Sequence, residues 1–302
     1  MQRRILLFHL ALGLLLAVLP SQAQELSSLQ PATEKRPSFT VARIGQGRPM
    51  ILIPGLQSSG DVWSGTVTHF KDRYECHVLT LAGFAGQPAV PPPFLQTVRD
   101  DVLRYIEEKK LDRPVIVGHS LGGFLAFWIA ATAPDAVGPL VAVDGVPFLP
   151  ALMNPSATAE SGAPQADSIR KLYGNLTREQ VAAQARMALA GMIKDPGQVE
   201  TATGWSATSD PATVGTAVYE MMTTDLRQQI AAIKSPVLLL AAADSAPDAA
   251  IRKELASSYE AQVAKVPQAR VVLAERARHF IMLDDPAFLL STMDAFLKQA
   301  RP

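Results

Sequence analysis

Cysteine is nearly absent from this chain of 302 residues, in which Cys76 is the only one. A single thiol cannot form an intramolecular disulfide, and it excludes a metal cluster built from cysteines. Cys76 belongs to the strand-like segment ECHVLTL, so we expect it to be a small buried hydrophobic residue.

An excess of charge of one sign is also missing. The chain has 28 basic and 28 acidic residues, and removal of the N-terminal segment that contains Arg3 and Arg4 leaves 26 against 28, a formal charge of −2. This balance gives no electrostatic footprint for nucleic acid or for an anionic membrane. With 48% hydrophobic and 19% charged residues, the composition is typical of a globular protein.

The apolar run Ile5–Leu19 is too short for a membrane-spanning helix, which needs about 20 residues. Its flanking residues are those of a signal peptide, namely Arg3 and Arg4 before it and Pro20, Ser21 and Ala23 after it. The pattern predicts a secretory signal peptide over residues 1–23 and an exported protein, periplasmic or secreted. A membrane anchor is the alternative. Residues 24–37 are polar and aperiodic, and we predict a flexible lead-in there.

Strand-like and helix-like segments alternate along the rest of the chain. The strand-like segments are SFTVARIG, PMILIPG, CHVLTLAG, PVIVG, PLVAVDG, SPVLLLAAAD and ARVVLAE. Strands that are apolar on both faces and separated by helices predict a parallel sheet covered on both sides. The sequence therefore predicts an α/β fold.

The alternation stops between residues 146 and 233, where the pattern predicts helices and no strand. One helix should begin at Thr177, with Gln180 completing a capping box. Another should begin with Asp210 as its cap and Pro211 at its first position. We predict an α/β core over 38–145 and 234–302, interrupted by a helical insertion over 146–233.

The segment PVIVGHSLGGFLAFWIAA places a serine between glycines at a strand-to-helix junction. Gly118–Gly122 match the pattern G-x-S-x-G, which alone is a weak signal. The strand-like run before it and the apolar helix-like run after it are what a nucleophile elbow requires. The sequence predicts that Ser120 is a nucleophile at the N-terminus of a helix, where a developing anion is favoured.

A serine hydroxyl needs a base, and four histidines lie beyond the N-terminal segment. We expect His119 to point away from Ser120 on the tight turn, His69 to lie in a surface helix, and His77 to lie on a strand. His279 follows the last strand-like segment and comes after every plausible acid, as the order Ser, acid, His requires. His279 is therefore the predicted base.

Two aspartates compete to orient His279. Asp244 follows the strand after the insertion, and Asp144 follows the strand before it. Both should reach the rim formed by the carboxyl ends of the strands. We prefer Asp244 as the acid and keep Asp144 as the alternative. Asp248 is a distant third, because it is better placed to cap the helix that follows it.

The oxyanion donors are predicted from a second turn. Gly55 follows the strand-like PMILIP, so the backbone N–H of Leu56 can point inward, opposite the N–H of Leu121. Two such donors would stabilise a tetrahedral intermediate.

With these motifs in this order, the chain resembles the α/β-hydrolase superfamily from about Phe39 to Leu297. The resemblance is carried by IPGLQSSGDVW, GHSLGG, PVLLLAAAD and RHFIMLDDP. It implies a mostly parallel eight-stranded sheet with a helical cap inserted after strand six. It also implies the site residues Ser120, His279, Asp244, Leu56 and Leu121, and no metal or organic cofactor.

The chain departs from that family pattern in three places. Pro54 stands where many relatives have a histidine, Ala241 replaces a common glycine before the acid, and LTLAGFAGQP lacks an acidic residue that many relatives have. None of these changes concerns the three reacting groups.

The resemblance favours an exported serine hydrolase that cleaves a carboxylic ester. A serine argues against haloalkane dehalogenases and epoxide hydrolases, whose nucleophile is an aspartate. Acyltransferase, thioesterase, carbon–carbon hydrolase and perhydrolase chemistry stay open, as does a non-catalytic ligand receptor. The expected partner is a small, fairly apolar ester-like molecule, not nucleic acid or a bilayer. Apolar residues of the insertion are candidates for its wall, although we expect most of them to be core of the insertion instead: Met153, Met187, Met192, Met221, Met222, Trp205 and Tyr219.

Overall fold

The computed structural model describes residues 37–300. The predicted signal peptide and nearly all of the predicted lead-in lie outside the described residues. The described strands are β1 (Phe39–Gly45), β2 (Arg48–Ile53), β3 (Tyr74–Leu81), β4 (Val115–His119), β5 (Leu140–Val143), β6 (Val237–Ala242) and β7 (Ala269–Ala274). Each of the seven strand-like segments of the sequence forms one of them, which confirms the predicted α/β class.

The seven strands form one sheet in the order β1-β3-β2-β4-β5-β6-β7. Only the edge strand β1 runs antiparallel to its neighbour, and the other pairs are parallel. The resemblance implied eight strands, and residues 37–300 contain seven. The helical insertion accordingly follows β5, the fifth described strand, rather than a sixth.

Helices cover both faces of the sheet. The helices of the core are α1 (Ser64–Phe70), α2 (Phe94–Glu108), α3 (Leu121–Thr132), α9 (Ala249–Gln262), α10 (Ile281–Asp284) and α11 (Pro286–Gln299). Those between β5 and β6 are α4 (Pro150–Met153), α5 (Ala159–Gly174), α6 (Arg178–Met192), α7 (Pro196–Ala207) and α8 (Pro211–Thr223). Short 3₁₀ helices occur at Gly60–Trp63 and Gln229–Ala232.

Alternate residues of each strand enter two different hydrophobic cores. In β2, Ile51 and Ile53 pack toward α2 and α3, whereas Met50 and Leu52 pack toward α1 and α11. This division follows from the twofold side-chain period of a strand. Cys76 is fully buried in the second core, as predicted, and burial raises the pKa of its thiol to about 11.

Two helices of the insertion, α6 and α8, begin where the sequence predicts. The Thr177 hydroxyl accepts a hydrogen bond from the Gln180 N–H, and the Gln180 side chain accepts one from the Thr177 N–H. Asp210 caps α8 ahead of Pro211. Four of the five helices of the insertion pack as two pairs, α5 with α8 and α6 with α7, and the short α4 packs on α9 of the core.

Among residues 37–300, no helix is both long and apolar enough to span a bilayer.

Candidate active site

Ser120 lies at the sharp junction between β4 and α3. Its φ is 52° and its ψ is −116°, a conformation that non-glycine residues rarely adopt. A Cβ on Gly118 would come within 2.0 Å of the Gly122 carbonyl oxygen, and one on Gly122 within 2.2 Å of the Ile53 carbonyl oxygen. The two glycines of the motif are therefore required by close backbone approach, and the strand-turn-helix context of the predicted elbow is present.

The predicted oxyanion turn lies against this elbow. A Cβ on Gly55 would be 3.2 Å from the Cβ of Ser120. Leu121 is the first residue of α3, and the first-turn N–H groups of a helix have no intrahelical acceptor. Within residues 37–300, neither the Leu56 N–H nor the Leu121 N–H donates a hydrogen bond to a protein group. Both donors can therefore serve a bound group.

His279 lies between β7 and α10, and its imidazole meets Asp144. The distance from His279 Nδ1 to Asp144 Oδ2 is 2.6 Å. Asp144 directly follows β5 and has a φ of 49°, in the left-handed region that aspartate tolerates better than most residues. The acid that the structure brings to His279 is thus the alternative of the sequence analysis.

The Asp144 carboxylate accepts two further hydrogen bonds. Tyr259 donates its hydroxyl to Oδ1 at 2.7 Å, and the Ala242 N–H donates to Oδ1 at 2.9 Å. Burial by itself would raise the pKa of Asp144, but the hydrogen bonds from His279, Ala242 and Tyr259 hold that pKa below its ordinary value. Asp144 is therefore a buried carboxylate that stays ionised beside the imidazole.

The preference for Asp244 as the acid is wrong in this structure. The Asp244 carboxylate pairs with Lys194 Nζ at 2.6 Å and lies 3.5 Å from Arg278 Nε. The hydrogen bond from Lys194 is the main reason why the pKa of Asp244 is lowered. These two cations hold the Asp244 carboxylate, whereas the His279 imidazole contacts Asp144, which follows the neighbouring strand β5. Asp248, the third candidate, caps α9 through the N–H groups of Ala250 and Ile251.

The remaining histidines occupy other places. His69 is in α1 and pairs with Asp294 at 2.7 Å. His77 is buried on β3 between the Tyr105 hydroxyl and the Glu75 carboxylate.

His119, next to the serine, is buried and faces the backbone of His279. Its Nε2 lies 3.1 Å from the His279 carbonyl oxygen. Burial, reinforced by the nearby His279 imidazole, lowers the pKa of His119 to about 3. His119 is therefore neutral near pH 7 and supports the loop that carries His279.

Ser120 and His279 line one small pocket of about 160 Å³. Its other polar lining groups, Asp144 and Tyr259, are hydrogen-bonded to each other. The rest of the wall is glycine or apolar: Leu121, Phe124, Gly145, Val146, Leu149, Leu152 and Met221. The pocket is suited to an uncharged, apolar group.

A larger groove of about 830 Å³ shares Asp144, Leu152, Tyr259 and His279 with this pocket. Two of the predicted wall residues, Met153 and Met192, line the groove, and a third, Met221, lines the small pocket. The others line neither: Met187 is exposed, Met222 is buried, Trp205 packs on the second core, and Tyr219 stacks under Arg170.

Two residues near the site escaped the sequence analysis. Tyr259 comes from α9 and belongs to no local motif, whereas Asp284 of α10 lies within the quoted segment RHFIMLDDP but is given no role by it. Tyr259 reaches Asp144 across 115 residues of chain. No signal along a single sequence marks such a contact.

The chain is similar to known proteins of one family. The model of the Alpha/beta hydrolase family matches residues 50–292. A pimeloyl-[acyl-carrier protein] methyl ester esterase of Nitrosomonas europaea is 25% identical over 266 residues, covering 85% of this chain and 99% of that protein. The protein of the same name from Aliivibrio salmonicida is 26% identical over 193 residues, covering 64% and 72%.

Among solved structures, a thermophilic esterase from Thermogutta terrifontis has a TM-score of 0.69. Its sequence identity to this chain is 19%, and the match covers 87% of this chain and 94% of that one. This likeness shows the fold.

Proposed function

Because the chain belongs to the α/β-hydrolase family, we propose that it is a serine hydrolase that cleaves a carboxylic ester through an acyl-enzyme. The observation that carries the proposal is that Ser120, His279 and Asp144, from three separate strand ends, surround one pocket. The names of the relatives, which are methyl ester esterases, support an ester as the substrate.

In the first half-reaction, Ser120 Oγ attacks the ester carbonyl carbon. With the Nδ1–H of His279 donated to Asp144, the other ring nitrogen, Nε2, carries the lone pair that takes the serine proton. The ionised Asp144 then stabilises the imidazolium. The N–H groups of Leu56 and Leu121 hold the oxyanion, and such donors contribute about 2.7 to 4 kcal/mol each in serine hydrolases.

The imidazolium then gives its proton to the leaving alkoxide and the alcohol departs, which leaves the acyl-enzyme and completes the first half-reaction. In the second half-reaction, water takes the place of the alcohol. His279 then takes a proton from water, and the hydroxide attacks the acyl carbonyl carbon. The serine oxygen leaves with the proton returned by His279. The free acid and the starting enzyme are restored.

The pocket beside Ser120 limits one half of the substrate. A cavity of about 150 Å³ accommodates benzene, so a pocket of about 160 Å³ suits a group of roughly six carbon atoms. The one carboxylate in its wall, Asp144, is already hydrogen-bonded to His279, Ala242 and Tyr259, and most of the remaining wall is apolar, so this group should be apolar. The larger groove beside His279 is available to the other half of the ester.

A panel of p-nitrophenyl esters of rising acyl length tests the function. We expect turnover with a kcat/KM that is highest at or below about six acyl carbons and falls beyond them. Ser120→Ala should abolish turnover and labelling by an activated phosphonate while the protein stays folded. The matched control is Ser291→Ala, which removes an exposed hydroxyl on α11 and should change neither. A folded wild-type protein that forms no adduct at Ser120 would favour a non-catalytic receptor instead.

We also propose that the enzyme is exported and that residues 1–23 are removed. The support is the sequence pattern around Ile5–Leu19. After expression of the full chain in a Gram-negative host, the periplasmic fraction should contain a protein that begins at Gln24. A cytoplasmic product with an intact N-terminus would contradict this proposal.

A further inference from the structure

A cluster of charged residues joins the α6–α7 junction of the insertion to the loop that carries His279. We call it the Asp284 cluster; it consists of Lys194, Asp244, Arg278 and Asp284. We propose that this cluster positions the His279 imidazole against Asp144, and that Asp284 is its central positioning residue. The proposal rests on the function proposed above, in which His279 is the base.

Asp284 uses both carboxylate oxygens to bridge the two segments. Oδ1 accepts a hydrogen bond from the Lys194 N–H, and Oδ2 accepts one from the Arg278 N–H, each at 2.9 Å. Lys194 belongs to the insertion, and Arg278 immediately precedes His279. One side chain therefore fixes the backbone beside the histidine to the backbone of the insertion.

The side chains of the cluster connect the segments in the opposite direction. Arg278 Nη1 donates to the carbonyl oxygens of Ala190 at 3.0 Å and Ile193 at 3.3 Å. Lys194 Nζ donates to the Arg276 carbonyl oxygen and pairs with Asp244, both at 2.6 Å. These contacts hold the histidine loop on the N-terminal side of His279.

The residue that follows His279 is also attached to the insertion, because the Phe280 N–H donates to the Met192 carbonyl oxygen at 3.3 Å. His279 is thus flanked by two residues whose backbone N–H groups are held, with His119 supporting its own carbonyl from the core side. A small displacement of a reacting group away from its productive geometry is enough to slow catalysis strongly. The position of the imidazole should therefore depend on the Asp284 cluster.

The other helical pair of the insertion is attached elsewhere. Glu220 of α8 accepts hydrogen bonds from the N–H groups of Phe94 at 2.8 Å and Leu95 at 2.6 Å, at the start of α2. The α6–α7 pair is therefore the part of the insertion whose contacts reach the residues beside His279.

The test compares Asp284→Ala and Asp284→Asn with Asp195→Ala in the full chain. Asp195 is the matched control, since its carboxylate also accepts a backbone N–H bond at the same junction, from Gln198, without a contact to the histidine loop. Two experiments are made: steady-state kinetics with a p-nitrophenyl ester, which gives kcat and KM, and observation of the far-downfield proton resonance of the hydrogen bond between His279 Nδ1 and Asp144. A change in stability alone would not affect that resonance in folded protein.

We expect Asp284→Ala to lower kcat roughly 10- to 100-fold, with KM changed by less than about threefold, and to broaden the resonance. Asp284→Asn, which keeps one acceptor oxygen, should lie between Asp284→Ala and the wild type. Asp195→Ala should keep both the kcat and the resonance.

Unchanged kcat and resonance in folded Asp284→Ala would overturn the proposal, as would equal losses in Asp195→Ala. If Asp284→Ala does not fold, Asp284→Asn and Arg278→Gln take its place, and wild-type behaviour in both would overturn it. If the wild type hydrolyses no ester, the resonance comparison still decides whether the cluster positions the imidazole. Failure of the proposed function is therefore distinguishable from failure of the proposed role of the cluster.

Discussion

Asp144 and Asp244 end neighbouring parallel strands, yet their surroundings differ. Asp144 is held by an imidazole, a tyrosine hydroxyl and a backbone N–H, whereas Asp244 is held by a lysine and an arginine. The exposed fraction of the side chain is 8% for Asp144 and 28% for Asp244. An aspartate that follows one strand thus contacts the His279 imidazole, whereas an aspartate that follows the neighbouring strand contacts Lys194 of the insertion.

The two carboxylates also differ in how their charge is stabilised. The pKa of Asp144 is lowered by hydrogen bonds that overcome its burial, while the pKa of Asp244 is lowered chiefly by the hydrogen bond from Lys194. Removing a hydrogen-bond partner from the buried carboxylate leaves a desolvated charge, which strongly destabilises the folded protein. An exposed ion pair contributes little to the free energy of unfolding by comparison. Substitutions at the two positions should therefore have very different effects.

The largest effect is expected for Asp144→Asn. An asparagine amide can present its NH₂ to His279 Nδ1 and so favour the tautomer whose Nε2 cannot accept the serine proton. We expect kcat to fall by about 10⁴-fold, the loss that the equivalent change causes in a serine protease. The measurement is steady-state hydrolysis of a p-nitrophenyl ester by protein whose circular dichroism shows it folded. A loss smaller than tenfold would remove Asp144 from the proposed mechanism.

A smaller effect is expected for Tyr259→Phe, which removes one hydroxyl donor from Asp144. Hydrogen bonds to charged groups are worth about 1.5–3 kcal/mol, so kcat/KM should fall roughly tenfold. The pKa of Asp144 is lowered in the folded protein, so its ionised form is present above that pKa and is lost as the pH falls through it. Loss of the donor raises this pKa, and activity should decline at a higher pH on the acid side.

The matched control for this prediction is Tyr105→Phe, which removes a hydroxyl that is hydrogen-bonded to His77 on β3. Its pH profile should coincide with that of the wild type. Identical profiles for Tyr259→Phe and the wild type would show that the tyrosine does not support the carboxylate.

The smallest effect is expected for Asp244→Asn. The Lys194–Asp244 pair is partly exposed, and such pairs contribute about 0–1 kcal/mol, so kcat should change by less than about fivefold. High salt should reduce the difference in kcat between Asp244→Asn and the wild type further, because salt screens exposed charges. A loss comparable with that of Asp144→Asn, measured in the same ester assay, would reverse the assignment of the two aspartates.

The parts of the site that the sequence predicts are those set by neighbours along the chain. The elbow follows from an apolar strand, closely spaced glycines and an apolar helix, and the cap at Thr177 follows from a residue three positions away. The parallel sheet is likewise predicted from residues within each segment, because strands that are apolar on both faces are typical of parallel sheets. Such local rules are independent of the rest of the fold.

The choice between the aspartates depends on contacts that are distant in sequence. Asp144 and His279 are 135 residues apart, and Tyr259 comes from a helix beyond the insertion. Lys194, which holds Asp244, lies within the insertion itself. Both aspartates follow apolar strands, so the local sequence does not distinguish their roles. The roles differ because α9 brings Tyr259 to Asp144, whereas the α6–α7 junction brings Lys194 to Asp244.

Labelling of Ser120 by an activated phosphonate tests the central claim most directly, because it needs no knowledge of the natural substrate. Second-order labelling rates are compared for the wild type, Asp144→Asn and Asp244→Asn. We predict that Asp244→Asn reacts within about fivefold of the wild type, whereas Asp144→Asn is slower by about three orders of magnitude or more. Slow labelling in Asp244→Asn together with rapid labelling in Asp144→Asn would contradict the account.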